Sequence, residues 1–155
     1  MKWRVFFLLN PNRLYRFENL IWLLTIWTFP NTLLGLAIGY LGVFSGGKVQ
    51  RVDGCWEFHG GVVTRLLQFA PTGGSGAMAM TLGHTILGQT QAALDISRAH
   101  EHVHVRQYEK FGLFFIPAYF AASFYAWVNR KDAYRDNIFE VEAFDKEPIN
   151  RRPED

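Results

Sequence analysis

From Asn19 to Gly47 the chain carries no charged side chain. That exceeds the roughly 20 apolar residues needed to cross a bilayer core as one helix. Pro30-Asn31 interrupts the run, which leaves two arrangements: one kinked span of about 25 residues, or two shorter halves forming a hairpin that dips into the membrane. Gly35, Gly39 and Gly42 recur at three- and four-residue spacing, so one face can be approached closely by another element. Trp22, Trp27 and Tyr40 sit where interfacial aromatics are expected, and aromatics reach 16% of the chain. Both points favour a membrane helix over a soluble core helix. Upstream, Lys2, Arg4, Arg13 and Arg16 alternate with aromatics around the break at Asn10-Pro11-Asn12, as in an amphipathic segment on a membrane surface. No small-x-small cleavage site follows, so this segment is expected to be retained. Residues 1–47 are read as a membrane anchor in contact with lipid.

The next stretch changes period. Residues 48–59 read as two strands around an Asp53-Gly54 turn, the strongest local hairpin signal in the chain. Gly60-Gly61 gives another turn, and residues 62–69 continue as a strand or a short helix. Residues 70–76 form a loop, and Ala77 to Leu87 reads as one further strand. Asp95 or Ser97 can cap a helix that runs to about Lys110, with Gly112 as its terminator. The uncharged run 111–128, broken by Pro117, returns to water at Asn129-Arg130-Lys131-Asp132. A short acidic helix follows over 134–145. Residues 48–145 thus make up one α+β domain, and residues 146–155 read as a disordered tail.

A net charge of +2 and the lack of a basic run argue against nucleic-acid binding. The single cysteine, Cys55, excludes an internal disulfide and any cysteine metal cluster. A metal would have to be held by histidine and carboxylate. His100-Glu101-x-x-His104 supplies that pattern. Residues four apart on a helix share one face, so both imidazoles can close on one ion. Glu101 lies about 100° round from His100, where it can act on a water beside the ion without binding the ion itself. Lys110 occupies the place of a metzincin third histidine and excludes that class. His102 points away from the pair, His59 lies at a turn, and His84 is either near the site or structural. Two histidines one turn apart on a helix cannot sandwich a haem.

The residues His100-Glu101-His102-Val103-His104-Val105-Arg106-Gln107-Tyr108-Glu109-Lys110-Phe111-Gly112 and Tyr134-Arg135-Asp136-Asn137-Ile138-Phe139-Glu140-Val141-Glu142-Ala143 resemble the small HExxH gluzincin metallopeptidases. They are similar above all to the membrane-associated ones and to bacterial membrane proteins with both motifs in this order. The resemblance implies zinc, a third ligand from a glutamate in an ExxA pattern, here Glu140 with Ala143, and a bacterial inner or intracytoplasmic membrane location. Glu142 is the rival third ligand, since two residues apart on a helix they point about 200° from each other. The family usually places an aspartate four residues after the ligand glutamate to brace a histidine. This chain has Phe144 there, with Asp145 the nearest acid.

Two functions are expected from different classes. In the first, a membrane-anchored zinc peptidase, His100, His104 and Glu140 hold zinc and Glu101 is the general base toward a peptide or protein substrate. A strand just before the motif helix would hold that substrate by strand addition. In the second, a non-catalytic membrane subunit keeps the fold and serves a larger complex. For the three-ligand site to form, His104 and Glu140 must meet at one ion. The run 111–128 is therefore expected to turn back along the domain, leaving only residues 19–45 in the bilayer.

Overall fold

One helix, α1 (Pro11–Phe44), runs through Pro30 and takes up nearly all of the uncharged stretch, so the single helix forms and the hairpin does not. Just after Pro30, the Asn31 side chain is buried and donates from Nδ2 to the carbonyl of Gly112 at 3.1 Å. The computed structural model describes residues 11–70 and 76–146, with side chains from Trp27 onward. Residues 1–10, the centre of the loop 70–76 and the tail from 147 lie outside the described residues.

Thr28, Asn31, Gly35, Gly39 and Gly42 form one buried stripe on α1. Their spacing of three and four residues keeps them on one side of the helix. The opposite side carries Trp27, Phe29, Leu33, Leu34, Tyr40, Leu41 and Phe44, all exposed. The small side faces the protein and the large apolar side faces out, the reverse of a soluble amphipathic helix.

The stripe lies on a four-stranded sheet in the order β1-β2-β4-β3. β1 (Lys48–Val52) and β2 (Cys55–His59) form the expected hairpin, with Asp53 at φ 47° and Gly54 at φ 85°. Two positive φ values in a two-residue loop match the twist of the flanking strands. The helix α2 (Gly61–Gln68) follows and resolves the open reading of residues 62–69. The single strand expected over 77–87 is instead a second hairpin, β3 (Ala79–Leu82) and β4 (Thr85–Gly88). Gly83, at φ 62°, makes the turn with His84, and Thr32 stands where a Cβ at Gly83 would go. β4 pairs parallel with β2, and β3 ends the sheet.

Side-chain alternation splits the sheet into two faces. Phe58, Leu82 and Thr85 turn toward α1, where a Cβ on Gly39 would lie 2.5 Å from the Phe58 ring and one on Gly35 would lie 2.7 Å from Thr85. Cys55 and Ile86 turn the other way and pack with Leu94 and Val105 of α3 (Gln91–Phe111). Glu57 shares that face. It is fully buried, and it accepts from Arg98 Nε and Nη2 at 2.8 and 3.0 Å and from Gln50 Nε2 at 2.6 Å. This fork fixes how α3 sits on the sheet.

α3 begins earlier than Asp95 or Ser97. Thr90 is its N-cap and accepts from the Ala93 amide at 3.1 Å. Asp95 instead accepts from Gln91 and Arg98, and the Ser97 hydroxyl donates to the Ala93 carbonyl. At the other end Gly112 closes the helix at φ 55° and ψ −130°, a conformation only glycine adopts readily, with Trp27 against it. A 3₁₀ turn (Gly112–Phe114) leads into α4 (Phe115–Val128). Among the described residues, one helical stretch, Gln91–Val128, is long and apolar enough to cross a membrane by length and composition. It does not run straight. The rings of His104 and Tyr119 lie 6.5 Å apart, whereas a continuous helix would separate them by about 22 Å along its axis. α4 thus folds back beside α3, as the expected meeting of His104 and Glu140 requires.

Asn137 then starts α5 (Ile138–Lys146), accepting from the Phe139 amide at 3.0 Å and donating to Tyr119 O and Ser123 Oγ of α4 at 3.0 and 2.8 Å. The acidic helix expected from residue 134 begins only after this cap. Asp132 takes up the amides of Tyr134 and Arg135 in the preceding turn.

Candidate metal centre

His100 and His104 stand one turn apart on α3 with their Nε2 atoms 3.1 Å from each other. Glu140 comes from the first turn of α5. Its Oε2 lies 3.2 Å from His100 Nε2 and its Oε1 lies 3.4 Å from His104 Nε2. Ligands bound at about 2.1 Å round a tetrahedral ion are about 3.4 Å apart. The three separations fall near that figure, the two to Glu140 being made by its different oxygens, so the three groups can gather round one metal ion. All three residues are buried, with exposures of 7%, 7% and 3%, and all three ligand atoms lie within 4.8 Å of one another. Two imidazoles and a carboxylate are a donor set suited to a divalent metal with one position left for water or substrate. The residues present fit such an ion.

Electrostatics tie the group together. Burial alone would favour a neutral Glu140, but hydrogen bonds with His100, His104 and Tyr119 more than reverse that and hold its carboxyl well below the usual range. Burial likewise opposes charge on His104. The hydrogen bond to Glu140 and the nearby charge of Glu101 outweigh it and raise the imidazole above its ordinary value. The Tyr119 hydroxyl, reaching down from α4, donates to Glu140 Oε1 at 2.6 Å. Phe144 fills the place of the expected aspartate and packs its ring against His100 at 4.7 Å.

Glu101 is buried beside the group and outside the triangle. Its Oε2 accepts from the Thr81 hydroxyl at 2.7 Å, so the end strand β3 holds the carboxylate in place. Glu142 does not reach the histidines. It accepts from Gln107 Nε2 at 2.9 Å and pairs with Lys146, so Glu140 is the glutamate that α5 turns inward.

The other histidines lie elsewhere. His84 bridges Thr28 and Glu109, each at 3.1 Å, and its amide donates to Thr32, so it joins α1, the β3–β4 turn and α3. His59 ends β2 opposite Lys48. His102, on the far side of α3 from the triangle, lines a cleft of about 510 Å³ with Arg51, Arg106 and Trp56. The Cys55 thiol is pushed up to about 11 by burial and by the carboxylates of Glu109 and Glu57, which leaves it unsuited to nucleophilic work at neutral pH.

Thr81, Gln107 and Tyr119 were not legible as site residues. Gln107 alone had a local signal, since it stands three residues after His104 on one helix face. Thr81 and Tyr119 reach the site only through the β3–β4 turn and the reversal at Gly112.

The chain is α+β, and its described residues form five α-helices, a small four-stranded sheet and a buried His–His–Glu group able to hold a metal ion. Searched against protein-family models, curated proteins and solved structures, it matches none of them.

Proposed function

We propose that this chain is a membrane-anchored zinc metallopeptidase of the gluzincin kind, with His100, His104 and Glu140 as metal ligands and Glu101 as general base. The observation that carries the reading is the ligand group with a second buried carboxylate, Glu101, one residue along the helix from His100. Zinc, when bound, would polarise a peptide carbonyl and make a neighbouring water more acidic. The chain's own residues do the rest. Thr81 occupies Glu101 Oε2, leaving Oε1 to take the proton of the attacking water and pass it to the departing amine. Tyr119 and the two histidines hold Glu140 ionised, as a ligand must be. β3, the last strand of the sheet, offers an edge along which an extended peptide would pair, beside Glu101.

Membrane attachment rests on α1, whose outer side presents large apolar residues while its small residues face the sheet. A bacterial inner or intracytoplasmic membrane is the compartment this reading assigns. After alkaline washing the protein is expected to stay in the membrane fraction. Recovery in the soluble fraction would remove the anchor.

A second reading, a metal-stabilised subunit of a larger membrane complex without hydrolytic activity, is favoured by one observation. Glu101 is only 4% exposed and the three ligands are 3–7% exposed, so a substrate needs the wall of α4 and α5 to move. The change Glu101→Gln separates the two. It should lower hydrolysis of an unfolded protein such as casein by about 10²–10⁴-fold while metal content stays at the wild-type level. If wild type and Glu101→Gln behave alike in every cleavage assay, the subunit reading stands and the peptidase reading goes.

A further inference from the structure

We infer that Gln107 is a positioning residue that fixes which nitrogen of His104 carries a proton, through a one-way chain of hydrogen bonds starting at Glu142. This rests on the metal-site reading above and adds the device that prepares one of its ligands. Gln107 Nε2 lies 3.0 Å from the carbonyl oxygen of Phe139 and 2.9 Å from Glu142 Oε2. A carbonyl and a carboxylate only accept, so the amide nitrogen of Gln107 must be the end that faces them. Its oxygen must then face the other way, and it lies 2.8 Å from His104 Nδ1. An amide oxygen only accepts, so His104 Nδ1 must carry hydrogen. A neutral imidazole with hydrogen on Nδ1 has its lone pair on Nε2. That is the nitrogen 3.1 Å from His100 Nε2 and 3.4 Å from Glu140 Oε1.

The polarity of one glutamate near the surface thus runs through an amide to the metal-facing side of a buried ring. On the Nδ1 side it needs no acid in direct contact with the imidazole. This answers the loss of the bracing aspartate: Phe144 covers the ring of His100, and the brace for His104 comes from its own helix. It also gives Glu142 a role distinct from that of Glu140. The Phe139 carbonyl makes the same demand on Gln107, so the chain has two anchors on α5 and does not depend on Glu142 alone.

Two measurements test the proposal. In metal-free, ¹⁵N-labelled protein in detergent micelles at alkaline pH, long-range proton–nitrogen spectra should show His104 with hydrogen on Nδ1. In Gln107→Met, which keeps the side-chain length but has no amide, that preference should give way to a mixture. The zinc dissociation constant should rise about 10–100-fold, as for loss of a group that orients a ligand. Glu142→Gln should raise it by only a few-fold, because Phe139 still directs the amide. His104 with hydrogen on Nε2 in the wild type, or Gln107→Met binding zinc within twofold of wild type, would overturn the chain. The tautomer is read without metal. A wild type that shows the Nδ1 form but binds no zinc would instead defeat the metal-site reading and leave the hydrogen-bond chain in place.

Discussion

Purified wild-type protein is expected to hold about one zinc per chain, and His100→Ala or His104→Ala to hold none after gel filtration. Each change removes one of only three ligands, which should weaken binding by well over a hundredfold, beyond the 10–100-fold of an orienting group. Glu140→Gln should weaken binding far more than Glu142→Gln, because Glu140 alone closes the triangle. Acidity should act in a stated direction. The metal and a proton compete for His104 Nε2, and the imidazole is raised above 6.5, so affinity should already fall as pH drops through that raised value. Glu140 is held below 4.5 and stays ionised throughout that range. In the metal-free protein the signs differ. The His104 contribution to stability is complete below 6.5 and lost as pH rises through its folded value, while that of Glu140 is complete above 4.5 and lost as pH falls toward its depressed value. Metal-free protein should therefore gain most from this pair between pH 4.5 and 6.5, and zinc should raise the melting temperature most above that window. Metal analysis and thermal unfolding with and without chelator check both. Stoichiometric metal surviving the double histidine change would remove the site.

The second large effect concerns the face between α1 and the sheet. Gly39→Val should destabilise the protein by about 1–3 kcal/mol or more, because its Cβ would sit 2.5 Å from the Phe58 ring. Phe58 is fully buried and cannot swing away. Ala37→Val, on the exposed side of the same helix, also introduces a β-branched valine but at an open position, and should change stability by less than about 0.5 kcal/mol. Equal melting temperatures for the two variants in one detergent would mean that the glycine stripe does not carry the contact.

Features that depend on local chemistry could be read from the sequence. The glycine period on α1, the Asp53-Gly54 turn, the His100–His104 face and the helix stop at Gly112 each follow from a few neighbouring residues. The β3–β4 hairpin could not, because Gly83-His84 lies in a run whose alternation continues through it, and His84 reads as one more strand residue. The cap at Thr90 was hidden by Asp95 and Ser97, stronger-looking candidates that serve the inside of the helix instead. Glu140 came from the resemblance, and the choice against Glu142 needed the orientation of α5, which Asn137 sets through contacts with α4. Tyr119 belongs to an apolar run whose return could be inferred only from the need for two distant ligands to meet.

The glycine stripe also bears on depth. From Thr28 to Phe44 one side of α1 runs alongside protein, while its outer side is exposed. This packed stretch is about 24 Å long, short of the roughly 30 Å of a bilayer core. On the anchor reading proposed above, the apolar outer side from Phe29 to Phe44 is the surface that lipid would meet. Trp27 and Phe114 touch at 6.0 Å between ring centres, which joins that surface to the 3₁₀ turn and, through it, to the exposed Phe120, Phe124 and Trp127 of α4. On the same reading, lipid that meets α1 would also meet this side of α4, beneath which Tyr119 holds Glu140.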